Sequence, residues 1–156
     1  MIMKKKIMLL YGVSLIALAV IWLAPFRPFI IIHNDTGKKL YIHAGERVHG
    51  VEPEPEEVEK IIRSKPDVIE PGEAMKLTSS FGFLISDGFE FNVGWLIGGG
   101  HAYNATGGGG QNFLFSSTIG TCSVSLIILD GYNNYLLKNE DGDFCLKKLY
   151  PFKYKY

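Results

Sequence analysis

The chain has 156 residues, with 16 basic and 16 acidic side chains and a net charge of zero. Aromatic residues make up 13% and glycine occurs 18 times, a composition suited to strands and turns rather than to a helical bundle. A neutral chain with no basic stripe excludes nucleic acid as its partner.

Lys4, Lys5 and Lys6 stand directly before residues 7–24, a run without Asp, Glu, Lys or Arg. At about 1.5 Å per helical residue the run reaches roughly 27 Å, enough to cross a hydrocarbon core. The lysines belong on the cytoplasmic side, which sends the residues after the run across the membrane. A cleaved signal peptide is the rival reading. With Ala24 at the −1 position, Trp22 is too large for −3 and Pro25 directly follows the bond. No cysteine lies near residue 24, which excludes lipoprotein-type processing. The sequence therefore predicts a basic cytoplasmic stub over 1–6, a retained transmembrane anchor over 7–24 and a short linker over 25–28. An extracytoplasmic domain over 29–156 follows. Pro25 and Pro28 stop the helix and stiffen the link, which holds the domain close to the inner membrane on its periplasmic or extracellular side.

Beyond the linker the pattern is mainly β. Strands are expected at 29–33 and 40–43, with Asn34-Asp35-Thr36-Gly37 between them as a hairpin signal. A helix starts at Pro55, where Glu56 and Glu57 complement its dipole, and Val58, Ile61 and Ile62 form an apolar stripe. It is the one helix expected outside the membrane. After a turn at 70–73, Asp87-Gly88 is expected to close a hairpin between strands 81–86 and 89–97. In the latter, Phe89, Phe91, Val93, Trp95 and Ile97 share the core face, while Glu90, Asn92 and Gly94 face water. Cys122, Val124, Leu126 and Ile128 alternate with Ser123 and Ser125 in the same manner. Further strands follow at 135–137 and 144–149. Seven or eight short strands with turns between them, and no alternating βαβ pattern, point to an antiparallel β-sandwich or partly open barrel.

Cys122 and Cys145 both fall in the exported part, where disulfides persist. A bridge between them closes about 24 residues and contributes roughly 3 kcal/mol in the chain-entropy model. In a simple meander over 122–149 the two would sit too far apart, so a bridge requires the last strand to pair elsewhere or to cross to another sheet.

The chain shows no catalytic, cofactor-binding or metal-binding constellation. His43, Glu46 and His49 do not match a recurrent metal spacing and are expected as strand-end and loop residues. Ser79, Ser80 and Ser86 lack a nucleophile elbow, and neither cysteine has a CxxC partner. Two stretches are candidate partner-binding surfaces. The glycine-rich segment 98–110 is expected to be a mobile loop that presents His101, Tyr103 and Asn104. The C-terminal tail alternates aromatic and basic residues, with Tyr150, Phe152, Lys153, Tyr154 and Lys155 offering area and charge. Asn34-Asp35-Thr36 and Asn104-Ala105-Thr106 also match the N-glycosylation pattern.

A lysine-flanked anchor followed by a small export-side β domain is similar, on architecture alone, to accessory and toxin-immunity proteins of bacterial inner membranes. The resemblance fixes no residue. It implies a non-enzymatic, membrane-tethered module that binds a protein partner, the tether raising effective concentration near the membrane. The alternative is a structural subunit of an inner-membrane complex that packs through its helix, where Gly12, Ser14, Ala17 and Ala19 are small.

Overall fold

The computed structural model describes residues 2–23, 27–84, 87–140 and 144–153. Helix α1 (Ile2–Leu23) includes residues 7–23 of the predicted anchor, and every described side chain in it, from Lys6 to Ala19, is exposed. Among the described residues no helix is long and apolar enough to cross a membrane, and the anchor's predicted last residue, Ala24, lies outside them.

The domain is mainly β and consists of two sheets. Strands β1 (Phe29–Asn34), β2 (Leu40–Val48), β3 (Asp67–Ile69) and β4 (Ala74–Thr78) come first. Strands β5 (Phe89–Ile97), β6 (Gly107–Ser116), β7 (Ser123–Ile128), β8 (Tyr135–Glu140) and β9 (Lys148–Phe152) complete it. One sheet has the order β4-β1-β7-β8 and the other β3-β2-β5-β6-β9. Ile30, Ile32, Val124, Leu126 and Ile128 from the first meet Leu40, Ile42, Val93, Trp95 and Phe113 from the second in a single buried cluster. Period-two alternation produces these inward faces, and their burial supplies the main driving force. Among the described residues the named strands pair antiparallel except β1 with β7, a parallel pair at the middle of its sheet and a departure from the expected pattern.

The predicted hairpin between β1 and β2 does not form, because the two strands lie in different sheets. Asn34 is the reason. It is 1% exposed, and its amide nitrogen donates to the carbonyls of Lys38 and Ile69, both at 2.8 Å. Its carbonyl oxygen accepts from the Thr36 amide at 3.1 Å and hydroxyl at 2.7 Å. The segment is thus an arch from one sheet to the other, and the first glycosylation pattern is occupied by a buried, fully bonded side chain.

The helix at Pro55 forms as α2 (Pro55–Arg63), although Val58 stays exposed, and Glu59 pairs with Arg63 one turn on. It is not the only helix beyond α1. Residues expected as a strand at 81–86 instead begin with a one-turn helix, α3 (Phe81–Leu84), and Ile85 and Ser86 lie outside the described residues. Asp87-Gly88 therefore closes no hairpin. β5 pairs with β2 along all nine of its residues and with β6 on its other side.

The glycine-rich stretch divides in two. Residues 98–106 are a loop, whereas Gly107, Gly108, Gly109 and Gly110 lie inside β6. Tertiary crowding explains three of them. A Cβ on Gly107 would lie 2.5 Å from the Gly131 carbonyl, on Gly108 2.7 Å from the Trp95 carbonyl, and on Gly109 2.6 Å from the Trp95 ring. Only glycine lets the backbones and the indole approach this closely.

The final strand begins at Lys148 rather than 144 and joins β6, not β8. This crossing to the other sheet is what the disulfide needs. Cys122 and Cys145 are bridged, with their Cα atoms 5.6 Å apart.

Candidate functional site

β8 and β9 are the free edges of the two sheets on one flank of the sandwich. The flank is pinned at two points. Thr121 and Leu149 exchange backbone hydrogen bonds at 3.1 and 2.7 Å, and Gly108 bridges to Tyr132. Between these points the flank opens into a groove of about 420 Å³, lined among others by Gln111, Asn133, Asn134, Tyr135, Phe152 and Lys153.

Gln111 ties the floor together. It is 3% exposed, donates through its amide nitrogen to the carbonyls of Asn112 (2.6 Å) and Phe152 (3.0 Å), and accepts from the Tyr135 hydroxyl. The Tyr135 ring meets Trp95 edge-on at 5.3 Å, and the Lys153 ammonium lies 5.4 Å from its centre. Asn133 takes a left-handed backbone conformation (φ 49°) that turns the chain into the groove wall, and its side-chain oxygen accepts from the Gly110 amide at 3.4 Å. The arrangement combines amides and one cation with aromatic and apolar surface. Such groups complement carbonyl and carboxylate oxygens.

The sequence-selected residues distribute as follows. Phe152 and Lys153 are in the groove, while Tyr150 is on β9 and 41% exposed. Tyr154 and Lys155 lie outside the described residues. His101, Tyr103 and Asn104 are together, in the loop before β6. This loop is built rather than loose: Asn104 accepts from the His101 amide at 3.0 Å, and the Thr106 amide donates to the Ile97 carbonyl at 2.8 Å. His101 and Tyr103 stack at 5.4 Å, with Tyr103 87% exposed.

A second polar group escaped the sequence pattern. Glu90, expected to face water, is completely buried. Arg47 donates to one of its oxygens, and His49 Nδ1 lies 2.7 Å from the other. The His49 ring also packs edge-on against Phe152, linking this group to β9. The trace in the sequence is a carboxylate set between Phe89 and Phe91, with an arginine near the end of β2 and a histidine just beyond that strand. Ser123 and Ser125, likewise expected on a wet face, are buried, and Ser125 donates to the Glu140 carboxylate at 2.8 Å.

His43, Glu46 and His49 do not converge. His43 pairs with Gly94 across the strands, Glu46 accepts from the Ser80 amide at 2.8 Å, and His49 is engaged by Glu90. Among the described residues no cluster of three such side chains could hold a metal ion. The pKa of Lys39 is raised above its ordinary 10.5 by the hydrogen bond and the charge of Glu70 at 2.7 Å.

No family model, curated protein or solved structure matches this chain.

Proposed function

We propose that this chain is a single-pass, membrane-anchored module whose extracytoplasmic domain binds a protein partner, as an immunity-like or accessory protein does. One observation carries the reading: a helix with exposed apolar side chains, headed by Lys4, Lys5 and Lys6, leads within a few residues into a domain closed by a disulfide. Apolar side chains that meet no protein favour lipid, and a disulfide persists outside the reducing cytosol.

The groove between β8 and β9 is the partner site in this reading. Its free edges offer backbone hydrogen bonds to an extended segment, Phe152 offers area, and Lys153 favours an acidic or carbonyl-rich ligand. The test is capture from detergent-solubilised membranes with the full chain and its Lys153→Glu variant. A stoichiometric partner held by the wild type and lost from the variant supports the reading. A partner held equally by both moves contact away from the groove and favours the structural-subunit alternative, in which the helix makes the assembly.

A further inference from the structure

The two ends of the sandwich differ in what they expose. β1 starts at Phe29, which pairs with Thr78 and Ser123, so the segments flanking these residues share the end at which the chain enters from the anchor. The Ser80 amide donates to Glu46 at 2.8 Å, and Thr121 bridges to Leu149, which brings the last part of β2 and the start of β9 to the same end. Here the exposed large apolar residues are Val48 (42%), Val51 (57%), Phe81 (51%), Ile119 (53%), Phe144 (67%) and Leu146 (55%). They come from four separate segments. At the opposite end, the loops 35–39, 70–73, 98–106 and 129–134 expose only Tyr103 and Tyr132 among large hydrophobics of the described residues, and the adjoining edge strands β8 and β3 add Leu136 (51%) and Val68 (49%).

The linker fixes which surface this entry end meets. Arg27 donates to the Ser79 carbonyl at 3.2 Å and lies 4.6 Å over the Phe81 ring, so the chain is pinned to α3 where it enters the domain. Only three Cα steps separate Ala24 from Arg27, a reach of roughly 11 Å even when fully extended. The headgroup layer on each side of a bilayer is about 5–7 Å thick, so the pinned end lies at the interface. Exposed phenylalanine and aliphatic residues beside an arginine are the chemistry that this layer takes up.

We infer that the entry end of the domain seats on the lipid interface, with Phe81, Ile119, Phe144 and Leu146 reaching into the headgroup–acyl boundary. The inference rests on the anchor reading above. Seating holds the domain in one orientation, with the groove flank upright and the far-end loops directed away from the membrane.

The test uses the full-length chain in phosphatidylethanolamine–phosphatidylglycerol vesicles, with a photoreactive benzoylphenylalanine placed singly at 119, 144, 103 or 132. All four native residues are exposed, so each variant retains its core. Flotation is read first and lipid adducts second. Vesicle-bound chain with strong lipid adducts at 119 and 144, and adducts several-fold weaker at 103 and 132, is the expected result. Vesicle-bound chain with no preference for 119 and 144 overturns the seating and leaves the anchor intact. Chain-to-chain adducts at 119 and 144 also overturn it, making this end a contact between copies. Failure to float overturns the anchor, and the seating with it.

Discussion

The entry end and the far end of this sandwich are closed by different chemistry. At the far end a buried asparagine makes four side-chain hydrogen bonds and joins the arch 34–38 to β3. At the entry end a disulfide ties the residue just before β7 to the segment before β9, and Lys147 pairs with Asp87. The far-end arch is short, so three of the four bonds are made within four residues, and the fourth reaches Ile69 on β3. The segment leading to β9 crosses between sheets, and a covalent link limits the entropy it regains on unfolding. The exposed surfaces differ in step: polar loops with two tyrosines on one side, an apolar rim on the other.

The largest effect should come from the far end. Asn34→Ala removes both donors and both acceptor contacts and takes the side-chain donor from the buried Ile69 carbonyl, while the Lys38 carbonyl keeps the Thr36 hydroxyl at 2.9 Å. It should cost about 4 kcal/mol, read as a lower midpoint in chemical denaturation. If it costs less than the disulfide, the far end is not the tighter closure. Replacing Cys122 and Cys145 together by serine should cost roughly 3 kcal/mol, with thermal melting under reducing conditions showing the same loss in the wild type.

A smaller change is expected at Glu90. Glu90→Gln keeps the shape but removes the charge facing Arg47 and His49, whose side chains are 39% and 41% exposed and can rehydrate. A loss of about 2 kcal/mol is expected, together with altered NMR signals from His49 and Phe152 on β9. The smallest effect concerns Lys39. Because its pKa is raised in the folded state, the Glu70 pairing favours the fold below the ordinary value of 10.5, and that contribution fades as pH climbs through the raised value. Glu70→Gln should bring the Lys39 pKa back toward 10.5, as followed by NMR of the side-chain amine.

Alternation made the inward faces of β5 and β7 readable from sequence, since a strand packed on one side must place every second residue in the core. It carries no information about which strand lies beside which. The Asn34-Asp35-Thr36-Gly37 signal illustrates the limit: its residues suit a tight turn, but burial of the asparagine turns it into an arch between sheets. Glu90 looked solvated because its partners, Arg47 and His49, lie more than forty residues earlier. Gly107, Gly108 and Gly109 read as loop because what requires glycine there is the closeness of Trp95 and Gly131, not the local chain. Phe152 and Lys153 could be selected from the tail. Their companions Gln111, Asn133 and Tyr135 are brought to them only when the flank closes.

In the reading proposed above, α1 holds a disulfide-closed domain on the outer side of a membrane. Protease digestion of intact spheroplasts carrying the full-length chain addresses it most directly. The expected result is a membrane-fraction protein whose domain is degraded from outside while a short fragment beginning with the lysine stub survives. Recovery of the chain in the soluble fraction, or protection of the domain until the cells are lysed, would contradict it.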